Sequence, residues 1–125
     1  MNMEIKAIFE MAGTTENLCF DPVNCSVLVS VEIGPEFEDG ANRFDLNVLT
    51  HEYLRLIRGN LWGRALLIID RFEWTEVSKI IEDLVAGISV NTWEDGVKIL
   101  SLYMDWEYAG AANSTGKILV PSRPV

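Results

Sequence analysis

The chain has 125 residues, 49% of them hydrophobic, and its 19 Asp and Glu against 10 Lys and Arg leave a net charge of −9. That length and apolar content describe one domain with an ordinary core, too hydrophobic for a disordered chain. The carboxylate excess excludes non-specific nucleic-acid binding, which draws its affinity from clustered Lys and Arg, and the same repulsion argues against an acidic membrane surface.

Ile5, Ala7 and Phe9 alternate with Glu4, Lys6 and Glu10, the period of a strand with one wet face. A turn region over 13–17 and Asp21-Pro22 separate it from a second alternating run, Val27, Val29, Val31 and Ile33, so the two are expected to pair antiparallel. Gly34-Pro35 stops the second strand, and 36–42 is an acidic loop containing the turn dipeptide Asp39-Gly40. Phe44, Leu46 and Val48 make a third strand. Thr50 caps a short helix over 51–57, ended by Gly59-Asn60, and the aliphatic run 64–69 fits a buried strand near the middle of a sheet. Beyond Asp70 the period changes. Val77, Ile80, Ile81, Leu84 and Val85 trace one face of an amphipathic helix that Gly87 stops. Thr92, with Asp95 three residues on, opens a second helix in which Trp93, Val97, Leu100 and Met104 recur at helical spacing.

Strands first and helices afterwards predict an α+β single domain over 1–108: a mainly antiparallel sheet of four to five strands with two longer helices packed on one face. Residues 109–125, rich in Gly, Ala, Ser and Pro, read as a loosely held tail in which 118–120 can add one edge strand. Cys19 and Cys25, the only cysteines, are too few for a disulfide framework or a zinc site and are expected to stay reduced. With no apolar leader at the N-terminus and no aliphatic run near the about 18 residues that span a bilayer, a cytoplasmic location is expected.

Catalytic chemistry is thinly provided. The single histidine, His51, has no marked nucleophile beside it and reads as a residue at a helix start. The segment 59–63 lacks the spacing and the lysine of a phosphate loop. Acidic groups at Glu36/Glu38/Asp39, Glu82/Asp83, Glu94/Asp95 and Asp105/Glu107 read as solvated surface before they read as a catalytic pair, and 36–40 lacks the alternating ligands of a calcium loop. No catalytic residue, metal or cofactor is assigned. Of the four tryptophans, Trp93 is expected in the core; Trp74 and Trp106 stand at element ends beside acids, where a ring fits either a core or an interface anchor within a polar rim.

The order Ile33-Gly34-Pro35, acidic loop, Phe44-x-Leu46-x-Val48-x-Thr50, buried strand, helix, and Trp93-Glu94-Asp95 leading through Leu100 to Asp105-Trp106-Glu107-Tyr108 resembles the immunity protein 8 family of bacterial polymorphic toxin systems, over roughly residues 3–108. The resemblance implies a small non-enzymatic protein that binds a cognate toxin domain and protects the producing cell in bacterial competition, including contact-dependent inhibition. Charge adds to this. Residues 1–39 carry net −7, 40–72 net +2, 73–107 net −6 and 108–125 net +2, so the negative field lies in two blocks that would steer a basic partner such as a nuclease toxin. The expected toxin-binding residues are Glu36, Glu38 and Asp39 in the loop with Trp74, Glu94, Asp95, Asp105, Trp106 and Glu107 around the helix ends. The alternatives are a small carboxylate- or metal-dependent enzyme and a structural subunit of another complex.

Overall fold

The computed structural model describes residues 1–10 and 21–108. Their order is β1 (Met3–Glu10), β2 (Ser26–Pro35), β3 (Asn42–Thr50), α1 (His51–Leu56), β4 (Leu66–Ile69), α2 (Trp74–Ala86), α3 (Trp93–Leu100) and β5 (Asp105–Trp106). The five strands form one sheet in the order β1-β2-β3-β4, with β5 also on β3. β1, β2 and β3 are antiparallel neighbours. The outer edge of β3 is shared: its C-terminal half pairs with β4 in parallel and Phe44-Asp45 pairs with β5 antiparallel. The α+β class, the mostly antiparallel sheet and the two longer helices agree with the sequence reading.

Register shows how the alternation builds the core. Val27, Val29 and Val31 stand opposite Val48, Leu46 and Phe44, so all six side chains share one face, and each is almost wholly buried. A bulge between Ile5 and Ala7 shifts β1 so that both Ile5 and Ile8 reach that face despite their odd spacing. Val77, Ile81 and Val85 of α2, with Val97 and Leu100 of α3 and Met104 beyond it, close over the same face. The opposite face carries Ser30, Glu32, Arg43, Asp45 and Asn47 among apolar residues, and the buried Ser30 hydroxyl donates to Asp45 (2.6 Å). Among the described residues no helix is long and apolar enough to cross a membrane.

Four expectations change. Of the run 64–69 only 66–69 form a strand, and β4 ends the sheet instead of lying inside it, with Ile68 40% exposed. The second long helix stops at Leu100. Met104 reaches the core from the following turn, where its amide donates to the Leu100 carbonyl (2.9 Å). Asp105-Trp106 forms a strand too short for any period to reveal. Cys25 is disulfide-bonded, so the expectation of two reduced cysteines does not hold for it. Cys19, the turn region 13–17 and the tail 109–125 with its edge strand lie outside the described residues.

Candidate protein-binding surface

The β2–β3 hairpin ends in the tip Glu36-Phe37-Glu38-Asp39-Gly40. Gly34 allows the neck to close, because a Cβ there would overlap the Gly40 carbonyl oxygen. The Glu36 amide donates to the Asn2 carbonyl (2.9 Å), and the Lys6 ammonium donates to the Glu38 carbonyl (2.8 Å) and also pairs with Glu4. At this pinned tip Phe37 has φ +66° and is 93% exposed. A left-handed backbone at a bulky residue costs about 1 to 2 kcal/mol, and nothing in the fold is gained by burying this ring.

The same end of the sheet receives the start of α3. Asn2 and Ser89 form an antiparallel bridge, the Val90 amide donates to the Met1 carbonyl (3.1 Å), and Gly96 lies against the Met3 side chain. Thr92 caps α3 by accepting from the Asp95 amide (3.2 Å), which leaves the exposed Glu94 and Asp95 in its first turn, where carboxylates suit the helix dipole. β5 runs toward this end as well. Its extension Glu107 joins β3 by exchanging contacts with Arg43: the Glu107 amide donates to the Arg43 carbonyl (2.9 Å) and its carboxylate accepts from the Arg43 amide.

The sheet thus brings Glu36, Glu38, Asp39, Glu94, Asp95 and Glu107 to one end. Of these, the first five carboxylates have no ion-pair partner among the described residues. Trp106 shares the end but is half-buried: it packs on the core, its indole N–H donates to Asn42 Oδ1 (3.3 Å), and it meets the exposed Tyr108 ring edge-on at 5.3 Å. Asp105 faces the other side of the sheet beside Asp45, paired with Arg64. Trp74 is not brought to this group. It opens α2 just after the parallel β4, at the opposite end of the sheet, 37% exposed and tilted against Phe72 at 5.7 Å. Trp93 packs against the core as expected.

Phe37 was passed over in the sequence because propensity treats the segment as an acidic loop; an aromatic flanked by acids next to a turn dipeptide was the available signal. At the far end, a groove of about 360 Å³ is lined by His51, Asp70, Glu73, Glu76 and neighbouring apolar residues of β4 and α2. His51 Nε2 lies 3.3 Å from Asp70 Oδ1 there, and no lining residue is a serine, threonine or cysteine that the pair could activate. The groove includes none of the four acidic groups singled out in the sequence. Among the described residues no three His, Cys, Asp or Glu side chains are grouped to hold a metal ion.

Fold and surface together define a small α+β domain with an acidic hairpin, tied to β1, that carries a solvent-exposed aromatic ring. The family model for immunity protein 8 matches residues 11–110, most of the chain, and the chain belongs to that family. Membership carries with it the general role of a toxin-neutralising immunity protein. No curated protein and no solved structure gives a significant match.

Proposed function

We propose that this protein is a cytoplasmic, non-enzymatic immunity protein that neutralises its cognate toxin domain by seating the acidic end of the sheet on a basic surface of the toxin. The observation that supports this reading best is the hairpin tip, where Glu36, Glu38 and Asp39 flank the exposed Phe37, with Glu94 and Asp95 at the same end of the sheet and none of the five ion-paired among the described residues. Unpaired charged groups steer a partner of opposite sign and raise the association rate, while an exposed aromatic among them supplies an anchor. A toxin that cleaves nucleic acid has the matching charge, since its own substrate requires a phosphate-binding cleft. Glu107, Trp106 and Asp105 serve this surface chiefly by fixing the β5 edge against β3. Trp74 lies at the opposite end and takes no part in the same contact.

Co-expression with the toxin encoded beside it tests the role: the full chain should restore growth, and failure to protect against any neighbouring toxin would reject it. Replacing Glu36, Glu38 and Asp39 together by Gln, Gln and Asn should slow association at low salt and flatten its salt dependence. An unchanged rate would show that steering comes from elsewhere.

A further inference from the structure

The two edges of the sheet are built differently. β1 is guarded by a bulge between Ile5 and Ala7 and by the charged Glu4 and Lys6, features that discourage another strand from pairing there. β4, at the other edge, is Leu66-Leu67-Ile68-Ile69, with no charge, proline or bulge, and among the described residues no strand pairs with its outer side. Its composition is that of an interior strand. The chain around β4 is also charge-complementary to itself. The segment before it, 57–65, holds Arg58, Arg64 and no acid, and projects Trp62, 78% exposed. The groove at its other end presents the carboxylates of Asp70, Glu73 and Glu76 against Arg71 and His51, over an apolar floor that includes Ile68 and Ile80. Neither Arg58 nor Glu76 has an ion-pair partner among the described residues.

From these features we infer that β4 is the interface between two copies of this chain, pairing antiparallel with β4 of a second copy about a two-fold axis. Antiparallel pairing sets the start of one β4 beside the end of the other. The Arg58–Trp62 loop of each copy then lies on the acidic groove of its partner, with the indole on the apolar floor and Arg58 beside Glu76. The contact is isologous and closed, so it ends at a dimer and does not propagate into a fibre. It also makes β4 an interior strand, in keeping with its sequence, and leaves the acidic hairpin end of both copies free.

Sedimentation of the full chain over a range of concentrations and salt, with no toxin present, tests this independently of the proposed function. A dimer that weakens with salt is expected. Ile68→Lys should yield a monomer with an unchanged circular-dichroism spectrum. If that variant does not fold, the exposed charges decide. Arg58→Glu and Glu76→Arg should each be monomeric alone, because loop and groove then repel, and an equal mixture of the two should recover the dimer, since both of its loop–groove contacts are again opposite in sign. A wild-type chain that remains monomeric at its highest soluble concentration overturns the inference, as does a dimer indifferent to the Arg58 and Glu76 changes or a mixture that stays monomeric.

Discussion

Thr50 shows how much one side chain can hold. Its buried hydroxyl oxygen accepts from the Tyr53 amide (3.3 Å), capping α1, and from the Cys25 amide (3.1 Å), fixing the start of β2. The cap was legible, because a threonine stood before an apolar-periodic segment; the second donor, 25 residues away, was not. Thr50→Val leaves two amides unsatisfied and should cost about 2 kcal/mol, read as a lower urea midpoint with an unchanged slope. Phe37 makes the opposite trade. Phe37→Gly relieves a left-handed backbone, so the melting temperature should hold or rise while toxin affinity falls; a variant that melts earlier would show that the ring supports the fold. In α1, the hydrogen bond from Arg55 holds the Glu52 carboxyl below its ordinary value, with the charge of Arg55 adding to it. The folded state therefore favours the ionised form. The resulting stabilisation is present above the unfolded carboxylate pKa and fades as pH falls through the folded one. Both groups are solvated, so the effect on stability is small, but an NMR titration should show Glu52 returning to the ordinary range in Arg55→Gln.

At the scale of elements, period predicted existence better than position. Alternation revealed β2 and β3, and helical spacing revealed α2 and α3, because each has a face that must be apolar along its length; alternation also found β1, but its bulge moves the apolar face part-way along. β5 has two residues and no face to speak of, so only its partner strand defines it. The short α1 contributes no buried residue and is held by its cap and its Glu52–Arg55 pair. Close approach was equally invisible. Gly96 sits inside α3, where alanine is intrinsically better by about 1 kcal/mol, yet a Cβ there would overlap the end of the buried Met3 side chain. Gly96→Ala should therefore stabilise a Met3→Ala background more than the wild type, where the Met3 methyl must shift, a coupling that a double-mutant cycle measured by thermal melting will show.

At the scale of the whole molecule, the fold makes neighbours of acidic segments that the sequence keeps apart. The acidic hairpin tip and the acidic start of α3 lie more than 50 residues apart in the sequence. The return of α2 along the sheet and the contacts of residues 1–3 with both segments set them at one end. Raising ionic strength should slow toxin association far more than dissociation, a difference stopped-flow measurements at two salt concentrations will resolve.

By itself the sequence determined the α+β class, the core faces of β2, β3 and the two longer helices, the caps at Thr50 and Thr92, and the resemblance that the family match bears out; the face of β1 it misread, because the bulge turns Ile8 to the core and Ala7 and Phe9 away from it. These follow from local periodicity and short motifs, which a chain carries wherever it is placed. Tertiary structure alone decided that β4 stands at an edge, that β3 divides its outer side between two strands, that Trp74 is parted from the other candidates, and that Phe37 projects from a pinned tip. Each depends on which distant segments become neighbours, and hydrophobic period, being blind to anything beyond its own element, holds no record of that.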